Sequence, residues 1–320
     1  MKPIEDCTVG ILGLGLMGGA IAMALGSIRT VGSIETEGAG SIIGHPEGPA
    51  KPGKTETGPA GAGRGRRGRI LGCDIDRETL DAAMARGIID QGFSSPEPML
   101  ERCDLVFLCL NPSTLLHFME QRMGAFRPGT LITDIAGIKG SIVTAMEKTL
   151  REDLDFIPGH PMAGSEKGGL AHAGDCKFNG KNYILTPLTR NRPENLRFLK
   201  DLIYRMGFGR IVETTAEEHD RKIAFTSQLC HVIAAALIHC EGDPGITRFG
   251  GGSFEDLTRI AMLNAPMWTE LFLENREKLL ERIEQFEGSL DTLKHLIRQG
   301  ADKDLRETLQ AVRERRSAMV

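Results

Sequence analysis

The chain of 320 residues lacks any apolar run able to cross a bilayer: the longest, Val232 to Ile238, falls far short of the roughly 20 residues a spanning helix needs. Nor does Met1 to Thr8 place a basic start ahead of an apolar stretch, as an export signal does. Both absences point to a cytoplasmic protein with no membrane partner. A cationic excess is missing too. Lysine plus arginine number 39 against 43 for aspartate plus glutamate, a formal charge of −4. The chain therefore lacks the positive field that phosphate backbones demand, which argues against nucleic acid as a partner. The seven cysteines are odd in number, scattered, and never form C-x-x-C. That speaks against a disulfide framework and a thiolate metal site; set mostly in apolar runs, they read as reduced core residues. Tryptophan occurs once, at Trp268.

The length suits one large or two modest domains, each able to bury a sizeable core. Cys7 to Leu12 predicts a short strand running into the glycine-rich Gly13-Leu-Gly-Leu-Met-Gly-Gly19, with helical composition from Ala20 to Leu25. From Ser27 to Arg69 the composition turns to Gly, Pro, Thr, Ser and Lys without apolar periodicity. Such a segment cannot bury enough apolar surface to offset its ordering entropy, so residues 27–69 read as a flexible low-complexity insertion. The pattern then resumes: strands at Ile70–Ile75, Leu105–Leu110 and Thr130–Ile135, with an amphipathic helix from Glu78 to Arg86. Strands alternating with helices imply a Rossmann-type, doubly wound α/β sheet. Phe156 to Pro158, Asn182 to Leu185 and Arg210 to Glu213 extend that sheet in this reading.

After Thr214 the chain turns helical, so the first domain is drawn over residues 1–213 and an all-helical one over 214–320. Thr215 with Glu218 resembles a capping box opening a helix to Cys240, and Pro266 starts a long second helix beyond Gly250-Gly-Gly252. Phe272, Leu279, Ile283, Phe286, Leu290, Leu293 and Ile297 form a seam at 3/4 spacing. A monomer would leave such a seam partly bare, so a homodimer through the C-terminal helices is expected, with packing inside one subunit as the alternative.

In a βα turn, Gly13 permits the bend, Gly15 lets the backbone approach a pyrophosphate, and Gly18 lets strand and helix pack, while Leu16 and Met17 bring the helix N-terminus to the anion. Alone, such a motif could be a merely glycine-rich turn. With the insertion looped out, Asp74 falls at the end of the next strand, where an acidic residue accepts ribose hydroxyls. A carboxylate there repels a 2′-phosphate, so NAD is the expected cofactor, although Arg77 lies close enough to meet one. A second glycine-rich loop, Pro158 to Gly169, carries His160 between Gly159 and Pro161 at a strand end. A histidine locked there suits proton exchange with an alcohol as a hydride leaves its carbon. His231 sits on a helix with Ser227 and Gln228 at i−4 and i−3, and its apolar surroundings fit a core histidine as well as a ligand-facing one.

Several separated motifs, in order, resemble the prephenate and arogenate dehydrogenases of tyrosine biosynthesis. They are Gly13-Leu-Gly-Leu-Met-Gly18, Gly159-His-Pro-Met-Ala-Gly-Ser-Glu166, Tyr183-Ile-Leu-Thr-Pro187, Thr226-Ser-Gln-Leu-Cys-His231, and Gly251-Gly-Ser-Phe-Glu-Asp-Leu-Thr-Arg-Ile-Ala261 followed by Pro266-Met-Trp268. The resemblance implies an NAD-dependent oxidative decarboxylation of prephenate to 4-hydroxyphenylpyruvate that needs no metal. In that scheme His160 takes the proton of the ring hydroxyl and Arg259 binds a substrate carboxylate. His231, with Gln228 on the same helix face, meets the substrate side chain, and Trp268 closes the site from the neighbouring subunit, its plainer role being a dimer-core aromatic.

The sequence departs from the family in two places. Asp134-Ile-Ala-Gly-Ile-Lys-Gly140 has Gly137 where a serine usually supports the reacting oxygen, and Gln228 and Cys230 stand where histidine and proline are common. Arogenate, which differs in the amino group of the side chain, is the alternative substrate. An imidazolium at His231 would favour the keto acid prephenate. Gly137 also keeps open a catalytically degraded, NAD-binding regulator, and a β-hydroxyacid dehydrogenase is a more distant alternative.

Overall fold

The computed structural model describes residues 2–37, 68–165 and 167–319. The chain divides into two compact units, Met1–Ala216 and Glu217–Val320.

The first unit runs β1 (Val9–Leu12), α1 (Leu16–Glu37), β2 (Ile70–Cys73), α2 (Arg77–Ala85), β3 (Gln91–Phe93), α3 (Glu97–Leu100), β4 (Leu105–Leu108), α4 (Pro112–Arg122), β5 (Leu131–Asp134), α5 (Gly140–Thr149), β6 (Asp155–Ile157), β7 (Gly159–Pro161), β8 (Asn182–Leu185), α6 (Pro193–Arg205) and β9 (Arg210–Glu213). Strands β1, β2, β4 and β5 are buried at every position. Their near-continuous apolar sequence is what a parallel sheet covered on both faces requires. Six strands pair in parallel in the order β3-β2-β1-β4-β5-β6. The order reverses between β1 and β4, and in such sheets the crevice beyond the carboxyl ends of the strands at that reversal receives the ligand.

Two expectations are corrected here. The insertion does not begin at Ser27, because α1 continues to Glu37. Once nucleated, a helix propagates cheaply through residues of middling propensity such as Ser27, Arg29 and Thr30, and Ile28 still reaches the core. Of the proposed insertion, residues 38–67 lie outside the described residues, while Gly68 and Arg69 already bond to the backbone of Glu5 and Val9. Secondly, the chain leaves the main sheet after β6. Strands β7, β8 and β9 form a separate three-stranded sheet in that order, antiparallel between β7 and β8 and parallel between β8 and β9. Pro158 has no N–H to continue the ladder, and the next amide, Gly159, is turned onto the Asp134 side chain.

The second unit is helical: α7 (Ala216–Ile223), a π-helical segment at Ala224–Gln228, α8 (Leu229–His239), α9 (Gly252–Thr258), α10 (Ala265–Glu274), α11 (Arg276–Gln299) and α12 (Asp302–Ser317). Ala216–His239 forms one run of 24 residues, long and apolar enough by composition to cross a membrane. Its first two turns nonetheless carry Glu217, Glu218, Asp220, Arg221 and Lys222, and its buried Gln228 binds the α10 backbone. The long helix expected from Pro266 is broken at Asn275, which takes φ −112° and ψ 25° between α10 and α11. Two of the cysteines assigned to the core, Cys230 and Cys240, lie exposed along and just after α8.

Candidate active site

The nucleotide turn explains each of its glycines by what surrounds it. Gly13 has φ +88°, and a Cβ there would lie 2.5 Å from the Cys109 carbonyl oxygen. At Gly18 a Cβ would fall 1.9 Å from the Gly13 carbonyl oxygen, so strand end and helix start close only on glycine. Gly15 differs: nothing lies within 4 Å of the position its Cβ would take. The open side faces the first turn of α1, where the amides of Leu16 and Met17 have no carbonyl within the helix to bond. These features fit the pyrophosphate of a dinucleotide.

Asp74 and Asp76, adjacent in sequence reading, have separate tasks. Asp76 caps α2, accepting from the Glu78 amide at 3.1 Å and the Thr79 hydroxyl at 2.6 Å. The half-buried Asp74 accepts from the Leu14 amide at 2.7 Å and the Asp76 amide at 2.9 Å. It thereby ties the end of β2 to the glycine turn, and each oxygen keeps a lone pair for a ribose hydroxyl. Ile75, next in the chain, is 99% exposed.

His160 is the central residue of β7, half-buried and opposite Ile184 in β8. The chain beyond it reaches Gly169 at φ +82° and a short turn, Leu170–Asp175. Glu166 of the same motif lies outside the described residues. That turn packs on α1: a Cβ at Gly19 would come within 2.7 Å of Leu170 and 2.8 Å of Ala173. Gly19 is therefore a site-building residue that the pyrophosphate motif does not include; the doubled glycine at positions 18 and 19 was its signal.

In the second unit, His231 Nδ1 lies 2.9 Å from the Ser227 carbonyl oxygen, and the imidazole stacks on Trp268 with centroids 3.7 Å apart. Phe272 follows Trp268 at 5.4 Å. Arg259 is exposed and its charge bears on His231. Burial first, then Arg259, lowers the His231 pKa from 6.5, against an opposing pull from the Ser227 carbonyl. A carbonyl only accepts, so Nδ1 carries a proton and Nε2 is the nitrogen that titrates. Burial therefore weighs against the imidazolium expected here. Gln228 is corrected. It is buried, its Nε2 donates to the Leu271 carbonyl at 2.8 Å, and its Oε1 accepts from Asn275 at 2.7 Å, so it holds the α10–α11 joint instead of facing a ligand. Trp268 covers His231 of its own chain.

Residues 62–213 match the prephenate dehydrogenase nucleotide-binding domain and residues 215–311 the prephenate dehydrogenase dimerization domain. The prephenate dehydrogenase of Bacillus subtilis is 30% identical over 305 residues, 93% of this chain and 72% of that protein. The chain belongs to the prephenate dehydrogenase family. A further relative is the prephenate dehydrogenase of Lactococcus lactis, 33% identical over 70% of this chain and 62% of that protein. Among solved structures, prephenate dehydrogenase from Aquifex aeolicus in complex with hydroxyphenyl propionate and NAD+ superposes with a TM-score of 0.77 at 30% identity, covering 98% of each chain. In the segment that holds Gly137, Asp134 and Lys139 are paired at 2.5 Å.

Proposed function

We propose that this chain is a cytoplasmic, homodimeric, NAD-dependent prephenate dehydrogenase, its residues 1–213 serving the dinucleotide and 214–320 substrate binding and dimerisation. The observation that carries this reading is the placement of His160 at the centre of β7, a strand whose first residue is pinned to the carboxyl end of β5 by the Asp134–Gly159 hydrogen bond. Bound NAD supplies the hydride acceptor for the ring carbinol carbon. Gly13, Gly15, Leu16, Met17 and Gly18 cradle its pyrophosphate and Asp74 its ribose. His160 accepts the hydroxyl proton as the carbinol is oxidised to a dienone, and returns one when loss of carbon dioxide leaves a phenolate. The guanidinium of Arg259 is shaped for a substrate carboxylate, and His231, backed by Trp268, meets the side chain.

Arogenate is the second reading: burial disfavours the charged form of His231, and the neutral form offers an acceptor at Nε2, which suits an α-ammonium donor. The test is NADH or NADPH formation from prephenate and arogenate with each nucleotide. Turnover of prephenate with NAD is the expected result, and its absence with both substrates would leave an NAD-binding regulator. His160→Asn should lower turnover by about two to four orders of magnitude with NAD affinity intact. Arg259→Gln should act mainly on KM. Turnover within about threefold for the first, or an unaltered KM for the second, would overturn the role concerned.

A further inference from the structure

Asp134 is the last residue of β5 and is 0% exposed, as is its partner Lys139. Its Oδ2 accepts from Lys139 Nζ at 2.5 Å and from the Ala136 amide at 2.9 Å, and Lys139 also donates to the Ala136 carbonyl at 2.7 Å. The other oxygen, Oδ1, accepts from the Gly159 amide at 3.1 Å. That amide opens β7, one residue before His160. Gly159 itself is closely hemmed: a Cβ would sit 2.7 Å from the Tyr183 hydroxyl and 3.1 Å from the Asp134 carbonyl oxygen. One carboxylate therefore joins the six-stranded sheet, which ends in the nucleotide turn, to the three-stranded sheet that carries His160.

Stability is a poor reason for this pair. Two charges taken fully out of water lose several kcal/mol each in hydration, and apolar replacements of equal volume are often no less stable. The geometry points to a different use: we propose that Asp134 is a positioning residue for the reaction, fixing His160 against the carboxyl edge of the nucleotide sheet through the Gly159 amide, with Lys139 holding the carboxylate in place. Proton transfer is steep in distance, so a displacement of about 1 Å at His160 can cost on the order of 10²-fold in rate. The proposal rests on His160 being the group that takes the substrate proton.

Two double variants of the full chain separate position from charge. Asp134→Asn with Lys139→Met removes both charges and keeps one side-chain oxygen, for which the Gly159 and Ala136 amides compete. Asp134→Val with Lys139→Met removes the charges and the acceptor together. The first should keep kcat for prephenate within about fivefold of the native value, and the second should lose about 10²-fold. In both, KM and the NAD dissociation constant should stay within about twofold, a split that general loosening of the fold would not produce. Equal kcat in the two variants overturns the proposal, as does a loss carried by NAD affinity. A cycle with His160→Asn supplies the second measurement. If Asp134 acts through His160, the Asp134→Val pair costs nothing further once His160 is gone, whereas additive losses overturn the proposal. Should His160→Asn alone leave turnover nearly native, the reading of His160 fails, and that result is distinct from either outcome for Asp134.

Discussion

At the residue scale, His231 shows how a side chain's chemistry is set by its neighbours. Its pKa lies below the unfolded value of 6.5, with burial the main cause. Between those two values the unfolded chain binds the extra proton, so this histidine contributes stability that is present above pH 6.5 and is lost as pH falls through the folded value. With His231 in its proposed role against the substrate side chain, the same titration bears on selectivity. The ratio of kcat/KM for arogenate over prephenate should fall as the pH is lowered through the folded pKa, below 6.5, as Nε2 changes from acceptor to donor, and a His231→Gln variant should flatten that dependence. Gly137 poses the opposite question, that of a missing group. It is not among the positive-φ glycines of the described residues, so its backbone does not by itself forbid a side chain. The neighbouring Ser141 hydroxyl is buried with no partner among the described residues. A single oriented donor to a developing charge is worth about 10²–10³ in rate when nothing replaces it. Gly137→Ser should accordingly raise turnover of prephenate by about tenfold or more; normal NAD affinity without faster turnover would mean that another group, such as Ser141, already does this work.

At the scale of elements, the break between α10 and α11 is decided by one side chain. Asn275 donates to the Asp220 carbonyl at 2.9 Å and to Gln228 Oε1 at 2.7 Å. These bonds reach from the joint to α7 and to the π-helical segment, and so set α10, with Trp268, in register against α8, with His231. The π segment adds a residue to that turn and shifts every later side chain around the helix, a device common at functional sites. Asn275→Ala should leave Gln228 with an unsatisfied buried oxygen and cost about 1–3 kcal/mol in urea unfolding. KM for substrate should rise with it, since the Trp268 ring loses its register; an unchanged KM would show that the stack is fixed by other contacts.

At the scale of the whole molecule, the apolar seam of α11 remains in view. Leu279 is buried, but Leu290 is 52% and Ile297 65% exposed, and with Leu293 they line a shallow apolar depression. Apolar surface at that spacing along a 24-residue helix is what a second helix covers. Leu293→Asp should convert a dimer to monomers in sedimentation at micromolar concentration while the first unit keeps its NAD affinity; a dimer that persists would place the interface elsewhere.

Much of this protein was determined by its sequence alone, wherever the physics is local. Gly13, Gly15 and Gly18 follow from the turn they must make, and the buried strands from their unbroken apolar runs. Membership in the family was legible in the same way, as separated motifs in a fixed order. Non-local contacts decided the rest. Whether β7 extends the main sheet or starts another depends on the Gly159 amide finding Asp134, 25 residues earlier. Gly19 matters because of Leu170 and Ala173, far along the chain. Gln228 and Asn275 meet across 47 residues, which turned an apparent ligand into a joint. The charge of His231 is likewise a tertiary property, since desolvation and the nearness of Arg259 exist only once the helices have packed.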